Sequence, residues 1–355
     1  MLAGFLWIFY GLPAFVSLLN WLLMPRPKKS TESKPFCALI PARNEADKIG
    51  ALVQSLTRQD CMVIVFDDES DDDTGVIAQQ NGAIVIRSAG LPDGWVGKNH
   101  ACHQLALAAA EASPSDWMLF LDADVIPSSN FVAEFQSALE MWGSRFPVVT
   151  GFAELLPGRG LERVYFAWVP WILLSTNPFG LVATTGKGHN FFTNGQVVAW
   201  KSSAYFELMP HDALRGEVLE DVKIGRLLAK HKVNVLVGNL TGILGVRMYA
   251  DLGSAFKGMS KNASSIAGSA VGTLVLAGLF VAWALAWLLE PATYFALLAS
   301  GLFTSATVHR GRNRPIGFLT AFLLPLTLLS AAATCLWSLR LKSQGALEWK
   351  GRKYG

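Results

Sequence analysis

The chain has 355 residues, of which 52% are apolar and 16% are charged, and its formal net charge at pH 7 is +3. Soluble globular domains usually have about 25% charged residues, so this composition excludes an ordinary soluble protein and favours a membrane protein. The small net charge gives no argument for nucleic-acid binding, and we expect no nucleic-acid partner. The four cysteines have no CxxC or Cys/His spacing, which argues against a disulfide framework and against a zinc site.

Uncharged segments mark both ends of the chain. Each is about as long as the roughly 20 residues that a helix needs to cross a bilayer. They are residues 2–24, 266–289, 291–308 and 315–339. The first has no basic start and no small-residue cleavage site, so residues 1–24 are predicted to be a retained anchor rather than a secretory signal. The predicted organisation is this anchor, a polar domain over 33–265, a transmembrane region of two or three spans over 266–339 and a basic tail over 340–355.

Basic residues indicate how the chain is oriented in the membrane. A cluster at 26–29 directly follows the anchor, so the positive-inside rule places the polar domain in the cytosol. The basic loop 310–314 agrees if the second and third segments form a hairpin. A full crossing by the fourth segment would export the basic tail, so either the tail breaks the rule or a late segment is re-entrant. Pro315 and Pro325 make the last segment the better candidate for a re-entrant one. We expect a multi-pass protein of the cytoplasmic membrane.

Strands alternate with helices in the polar domain. The sequence predicts strands at PFCALI (35–40), MVIVFD (62–67), AIVIR (83–87) and WMLFLD (117–122). It predicts helices at Lys48–Arg58, Gly75–Gln80 and Asn99–Ala112. This alternation favours an α/β fold with a mostly parallel central sheet and helices on both faces. Ligands of such sheets bind beyond the carboxyl ends of the strands.

Three acidic clusters follow strands or start a helix. They are Asp67–Thr74, Asp122–Asp124 and Glu220–Asp221. Each alone could be a turn, a helix cap or a complement to the helix dipole. Two of them, however, would converge at one edge of the sheet, where crowded carboxylates repel each other unless a divalent cation lies between them. Because Mg²⁺ and Mn²⁺ prefer oxygen ligands, we expect one of these ions as the cofactor.

The order of these motifs carries a family resemblance. PARNE (Pro41–Glu45), the aspartate-rich turn, the DAD and the Glu–Asp pair occur in the order seen in inverting family 2 glycosyltransferases, which the chain resembles from about residue 35 to residue 249. The resemblance implies a GT-A nucleotide-sugar-binding fold and hexosyltransferase activity with a UDP-sugar donor. WVGKNHAC (95–102), VRMY (246–249) and LEWKGRKYG (347–355) are similar to carotenoid-acid (4,4'-diaponeurosporenoate-type) glycosyltransferases, with hopanoid and ceramide-type glucosyltransferases as relatives. This likeness implies a lipophilic acceptor at the membrane.

The resemblance also assigns roles to individual residues. Those assigned to nucleotide-sugar binding are Pro41, Ala42, Arg43, Glu45, Asp67, Asp68, Lys98, Asp122, Ala123 and Arg247. Within this set, Ala42 and Asp68 would hold the base, Asp122 the ribose, and Lys98 and Arg247 the diphosphate, while Asp67 would support the base contact or cap its turn. Asp124 would bind the metal. Asp221 would be the general base, and Glu220 is the weaker catalytic candidate, which would orient or cap. Gly195, Gln196 and His189 are assigned to the acceptor side.

Several alternatives stay open. Arg247 lies in GILGVRMYA, where processive members of the family have QxxRW, and this departure argues against a polysaccharide synthase. The aromatic stretch Leu161–Val182 is either a core helix or a helix lying in the membrane interface. The acceptor could be a hopanoid, a sphingolipid-like molecule or a polyprenyl phosphate instead of a carotenoid acid. A nucleotidyltransferase and a non-catalytic membrane protein are the alternatives from other classes.

Overall fold

The computed structural model describes residues 1–30, 36–112, 115–156, 161–186, 190, 192–217, 219–309, 314–344, 348–349 and 352–353. The chain folds as two compact units. The first, here the helical unit, consists of Met1–Leu23, Leu155–Pro178 and Arg247–Gly355. The second, here the sheet unit, consists of Met24–Glu154 and Phe179–Val246.

The described elements are as follows. The strands are β1 (Cys37–Ala42), β2 (Met62–Asp67), β3 (Ile84–Arg87), β4 (Trp117–Leu121), β5 (Val125–Pro127), β6 (Val148–Phe152), β7 (Glu154–Leu155), β8 (Val197–Lys201), β9 (Val235–Asn239), β10 (Leu244–Val246), β11 (Glu348–Trp349) and β12 (Arg352–Lys353). The helices are α1 (Leu2–Leu23), α2 (Ala46–Thr57), α3 (Thr74–Gln80), α4 (Gly97–Ala112), α5 (Phe131–Trp142), α6 (Glu162–Phe166), α7 (Trp168–Thr176), α8 (Phe179–Thr185), α9 (Ser202–Leu208), α10 (Pro210–Ala213), α11 (Glu220–Lys230), α12 (Leu252–Ala267), α13 (Ala270–Leu285), α14 (Tyr294–Val308), α15 (Arg314–Phe322) and α16 (Leu324–Ser343). Short 3-10 turns at Ala286–Leu289 and Pro291–Thr293 join α13 to α14.

A seven-stranded sheet organises the sheet unit, with the strand order β3-β2-β1-β4-β8-β6-β9. All of its strands except β8 run in the same direction. The inner strands β1 and β4 are continuous apolar runs, as expected for strands covered on both faces, and β4 is buried along its whole length. The predicted α/β fold with a mostly parallel sheet is confirmed.

The predicted strands and helices of the polar domain are all present, with ends shifted by at most two residues. In the register of β1 and β2, Ala42 lies beside Asp67, so both strands end at the same level of the sheet. In β4, Phe120 lies beside Leu39 of β1, so the DAD follows the neighbouring strand at the same edge. The three strand ends that carry the sequence motifs are therefore adjacent.

The helical unit contains three helices long and apolar enough to cross a membrane, counted among the described residues: Leu2–Leu23, Ala270–Leu289 and Leu324–Ser343. Their inner faces share one apolar core, in which Tyr10, Trp171 and Phe280 are fully buried. Polar side chains join the helices inside this core. The Tyr10 hydroxyl donates to the Trp283 carbonyl at 3.0 Å, and the Trp171 indole N–H donates to Ser300 Oγ at 2.8 Å. Such bonds satisfy polar groups that an apolar environment would leave without water.

The outer faces of these helices expose large apolar side chains. Ile8 in α1 is 69% exposed and Val271 in α13 is 71% exposed, and similar side chains recur along both helices. A soluble surface does not tolerate apolar stripes of this length, whereas lipid does. Helices apolar enough to cross a membrane thus occur at both ends of the chain, as the sequence predicts.

Two of the apolar segments predicted from the sequence do not form single long helices. Segment 291–308 forms α14, which has only 15 residues and is not among the candidate spans. Segment 315–339 breaks at Leu323 into α15 and α16, and Pro325 lies at the start of α16. In the aromatic stretch Leu161–Val182, the side chains of Trp168 and Trp171 belong to the core of the helical unit, which favours the core-helix interpretation. The four cysteines are buried and free.

Candidate active site

The ends of β1 and β2 are tied together by the PARNE and aspartate motifs. The backbone N–H of Asp68 donates to the Ala42 carbonyl at 2.9 Å, and Arg43 Nη1 donates to the Asp68 carbonyl at 2.9 Å. The Asp68 side chain is buried. Glu45 holds the next turn, because its backbone N–H donates to Thr74 Oγ1 at 2.8 Å and its carboxylate pairs with Lys48 at 3.1 Å. The sequence motifs on these two strands therefore form one continuous surface.

Asp67 supports the turn after β2. One of its carboxylate oxygens accepts the backbone N–H of Ser70 at 3.1 Å. The other lies against Gly75, where a Cβ atom would come within 2.5 Å of it. Of the two roles considered for Asp67, this geometry favours capping the turn.

Lys98 lies between two acidic motifs. It is in the first turn of α4, and its Nζ atom is 2.8 Å from Asp122 Oδ1 and 2.8 Å from Glu220 Oε1. Burial alone would lower the pKa of Lys98, but the two carboxylates outweigh this effect and hold the pKa well above its ordinary value. Lys98 is therefore a permanent cation that connects the DAD after β4 to the Glu–Asp pair of α11, and it is not an exposed surface lysine.

Gly195 and Gln196 bring the chain before β8 into the same cluster. The backbone N–H of Asp122 donates to the Gln196 carbonyl at 3.1 Å. A Cβ atom on Gly195 would meet Lys98 Nζ at 3.3 Å, Glu220 Oε1 at 3.4 Å and the Cβ atom of Asp221 at 3.5 Å. The two motifs predicted to carry chemistry thus meet against a glycine that has almost no room for a side chain.

Asp124 has the environment expected of a metal ligand. Within the described part of the chain, its Oδ1 atom is buried and accepts no hydrogen bond. Burial, and next the negative charge of Asp122, raise the pKa of Asp124 to about 6. The described residues contain no group of three or more His, Cys, Asp or Glu side chains suited to one metal ion. A bound Mg²⁺ or Mn²⁺ would therefore take further oxygen ligands from water and phosphate, as Mg²⁺ commonly does.

The Glu–Asp pair starts α11. Glu220 is buried and points to Lys98, whereas Asp221 has a different set of partners. The Asp221 carboxylate accepts the backbone N–H of Val222 at 2.7 Å, and its carbonyl accepts the Thr193 hydroxyl at 2.6 Å. Burial, followed by the charge of Glu220, raises the pKa of Asp221 to about 6. A carboxyl group with such a pKa can accept a proton near neutral pH.

Not every predicted site residue joins this cluster. Ala123 is buried between the two aspartates of the DAD and contributes backbone only. Pro41 is within β1, one residue before its end. Arg247 follows β10, is exposed and belongs to the helical unit, so its contact with a diphosphate stays a prediction. His189 lies outside the described residues.

Other residues around the site were assigned no role from the sequence. Thr193 and Asn194 shape the loop before β8, where Asn194 Nδ2 donates to the Gly151 carbonyl at 2.9 Å. Trp95 packs against His100 and His103, with ring centroids 5.6 Å and 5.2 Å apart. Burial lowers the pKa of both histidines, so they are neutral packing partners of Trp95 at neutral pH. None of these residues stands in a spacing that identifies it.

Comparisons with known proteins find similar sequences and structures. Residues 37–143 match the model of the glycosyl transferase family 2. The chain is 25% identical over 290 residues to 4,4'-diaponeurosporenoate glycosyltransferase of Staphylococcus haemolyticus (strain JCSC1435), with 79% of this chain and 73% of that protein covered. It is 24% identical over 345 residues to the protein of the same name from Staphylococcus aureus (strain MRSA252), with 90% of this chain and 88% of that protein covered.

A similar solved structure is glucosyl-3-phosphoglycerate synthase from Mycobacterium tuberculosis in complex with Mn²⁺, UDP and glucosyl-3-phosphoglycerate. Its TM-score is 0.44 at 20% identity, with 66% of this chain and 80% of that chain covered. The family model spans β1 to α5, the part of the sheet whose strand ends carry the first acidic motifs. Residues 37–143 therefore match a glycosyl transferase family 2 domain, the mostly parallel sheet is of the GT-A kind, and the protein is a glycosyltransferase.

Proposed function

We propose that the protein is an inverting, metal-dependent, non-processive hexosyltransferase that transfers glucose from UDP-glucose to a lipophilic acceptor. The observation that carries the proposal is the convergence of the DAD and the Glu–Asp pair on Lys98 and Gly195. The DAD suits the donor, and the Glu–Asp pair supplies a carboxyl group, that of Asp221, which can accept a proton beside the donor. A nucleotidyltransferase or a non-catalytic membrane protein would not need the second motif.

The donor half of the site lies at the ends of β1, β2 and β4. Asp68 and the backbone at Ala42 suit the edge of a nucleotide base, and Asp122 suits the ribose. Asp124 would hold Mg²⁺ or Mn²⁺, since its buried oxygen finds no hydrogen-bond donor among the described residues. When bound, the cation neutralises the charge that develops on the leaving diphosphate.

The acceptor half is formed by α11 and the loop before β8. Asp221 would take the proton of an acceptor hydroxyl while the acceptor oxygen attacks the anomeric carbon. A single displacement of the diphosphate from the opposite side inverts that carbon. If the acceptor is a carboxylic acid, it is already ionised at neutral pH, because its pKa is about 4, and Asp221 then has no proton to remove. The pKa of Asp221 therefore fits either acceptor.

The proposed acceptor is a carotenoid acid or another polyprenoid. Two observations support a lipophilic acceptor: the name of the staphylococcal relatives, and the three apolar helices of the helical unit. The basic cluster at 26–29 supports a multi-pass protein of the cytoplasmic membrane with its catalytic domain on the cytosolic face. A hopanoid, a sphingolipid-like molecule or a polyprenyl phosphate is the alternative acceptor that the same site would accommodate.

The test is UDP release by the purified full chain in native-like membranes. UDP- and GDP-sugars are offered with lipid extract, with and without chelator, to the wild type, Asp124→Ala and Asp221→Asn. The exposed carboxylate of Asp47 gives a matched control, Asp47→Asn. We expect lipid-dependent release from UDP-glucose that requires a divalent cation and that the control variant retains. Mass spectrometry of the product names the acceptor. A folded protein that releases no nucleotide from any donor and binds none would refute the proposal.

A further inference from the structure

A cleft in the helical unit combines basic and apolar walls. Its polar side includes Arg163 of α6 together with Ser305 and His309 at the end of α14. Its apolar side includes Trp171 and Leu324. All of these residues belong to the helical unit, and the glycosyltransferase motifs of the sheet unit are not part of the cleft.

His309 is a buried polar residue of the cleft. Its side chain is only 6% exposed, and its backbone N–H donates to the Ser305 carbonyl at 2.9 Å. Gly317 of α15 packs against it, because a Cβ atom there would come within 3.2 Å of the imidazole Cδ2 atom and would collide with Ser305. In the described part of the chain, the Nδ1 atom of His309 is buried and has no hydrogen-bond partner. Such an atom is costly to leave unsatisfied, which points to a ligand that binds there.

Arg163 adds a cationic side chain to the lining of the same cleft. A guanidinium and an imidazole N–H are both donors, and together they match the oxygens of a carboxylate or phosphate. A neutral polar ligand would use only part of this arrangement.

The walls beyond the polar end suit a hydrocarbon chain. Helix α15 contributes Thr320 and Ala321 to the cleft and exposes Phe318 and Phe322, which are 65% and 61% exposed. The cleft itself is also lined by the apolar side chains of Pro170 and Val308, which suit a hydrocarbon chain. The combination of one anion-binding end and one apolar exit defines an amphipathic ligand.

We propose that this cleft binds the carboxylate or phosphate end of a membrane lipid, with Arg163 and His309 as its polar contacts. The inference does not depend on the proposed transfer reaction, because binding here needs no nucleotide sugar. The same chemistry is presented by two sources: a carboxylated lipophilic acceptor, and an anionic phospholipid of the surrounding membrane.

The test is photolabelling of the full chain in phosphatidylcholine nanodiscs without nucleotide sugar. The probes are a diazirine analogue of palmitic acid and the corresponding alcohol, and mass spectrometry locates the labelled residues. We expect saturable labelling of α7, α14 and α15 by the acid, and affinity about tenfold weaker for the alcohol, as loss of one charged hydrogen bond implies.

Variants distinguish specific binding from simple partitioning into the bilayer. Arg163→Gln and His309→Asn should each weaken labelling by the acid about tenfold. Arg163→Lys, which keeps the charge, should retain more of it. Arg340→Gln removes an exposed arginine of the same unit that does not line the cleft, and it should label like the wild type. Equal labelling by acid and alcohol, or unchanged labelling of both Arg163→Gln and His309→Asn, would overturn the proposal.

Competition then separates the two sources. Displacement of the palmitic acid probe by retinoic acid, but not by phosphatidylglycerol, assigns the cleft to a carboxylated lipophilic molecule. Displacement by phosphatidylglycerol assigns it to a membrane phospholipid. Both results support an anionic lipid site, and failure of both competitors at saturating concentration contradicts it.

Discussion

Lys98 holds two carboxylates that belong to different motifs: Glu220 is buried and Asp122 is half-buried. Replacement by methionine removes the cation and leaves Asp122 and Glu220 without their shared partner. Without this cation the two acidic motifs should move apart, and misplacement of reacting groups by about 1 Å can cost about 100-fold, so we expect Lys98→Met to lower the rate of UDP release by about 100-fold. Lys98→Arg should retain part of the activity, since it keeps the charge. Full activity of Lys98→Met in the UDP-release assay would show that the ion pairs are not needed.

Glu220 sets the pKa of its neighbour Asp221. The wild-type rate should rise as the pH increases through about 6, because a general base works only when ionised and the pKa of Asp221 is raised to about 6. In Glu220→Gln a negative charge is lost and Lys98 acts on Asp221 without competition. Both changes lower the pKa of Asp221, so the acidic limb of the profile should move to lower pH.

The measurement for this pair is kcat/KM against pH with an acceptor that carries a hydroxyl group. Glu140→Gln, an exposed change on α5, is the matched control and should reproduce the wild-type profile. An unshifted limb in Glu220→Gln would mean that another group titrates.

Asp124 illustrates how the site lowers stability. Its folded-state pKa of about 6 lies above the ordinary value of 3.8, so folding favours the protonated carboxyl group. The contribution of the protonated Asp124 carboxyl group to the free energy of unfolding is fully present below pH 3.8. It is lost as the pH rises through about 6. At pH 7 and without divalent cations, Asp124→Asn should therefore be more stable than the wild type. Its free energy of unfolding should be larger by about 1–3 kcal/mol, and it should unfold at a higher temperature. Thermal denaturation at pH 5 and pH 7 checks this, and the difference between the two proteins should shrink at the lower pH.

At the scale of elements, the loop before β8 closes the site against α4 and α11. A methyl group on Gly195 would need Lys98, Glu220 or Asp221 to move by a few tenths of an ångström. We expect Gly195→Ala to reduce activity about tenfold with little loss of stability, because the shift it requires is small for the fold, whereas small misplacements of reacting groups are costly for the reaction. Gly216→Ala is a suitable control, since a Cβ atom there has open space apart from one contact at 3.4 Å. An unchanged rate in Gly195→Ala would show that the loop tolerates the shift.

The sequence predicted the elements that depend on local pattern. The apolar runs of β1, β2 and β4 identified buried strands, and parallel strands bring their carboxyl ends to one edge, so the placement of Asp68 and the DAD at the same edge could be expected. The contact of Gly195 with Lys98 could not, because it depends on how the antiparallel strand β8 pairs with β4. The ion pairs of Lys98 likewise require knowing which face of α4 is turned toward the strand ends. Pro325 indicated a break in the last apolar segment but not its position.

At the scale of the whole molecule, the buried cysteines permit a topology experiment. Burial raises the pKa of Cys37 and Cys61 to about 12, so the native thiols should react slowly with maleimides. Single cysteines at the exposed positions Lys28 and Leu289 flank different ends of apolar helices. In sealed inverted vesicles, an impermeant maleimide should label Lys28→Cys, whereas Leu289→Cys should be labelled only in vesicles of native orientation. Labelling of both from one side would contradict the expected crossing by α13.

Membrane attachment should also survive loss of electrostatic contacts. We expect the chain to stay in the membrane pellet after washing with alkaline carbonate and to enter solution only with detergent, as helices that cross a bilayer require. Release of the intact chain by carbonate would contradict the predicted spans.

Four carboxyl groups crowded near Lys98 should affect how tightly the donor binds. They belong to Asp122, Asp124, Glu220 and Asp221. An anionic diphosphate enters such a site more readily once a divalent cation has offset part of its negative charge, so cation and nucleotide should each tighten the binding of the other by the same factor. The apparent affinity for UDP-sugar would then follow the free magnesium or manganese concentration, with no separate regulatory site. Titrations of UDP at several fixed cation concentrations should give apparent Kd values that fall as the cation concentration rises. The size of this fall measures how strongly the acidic edge of the sheet couples its two ligands.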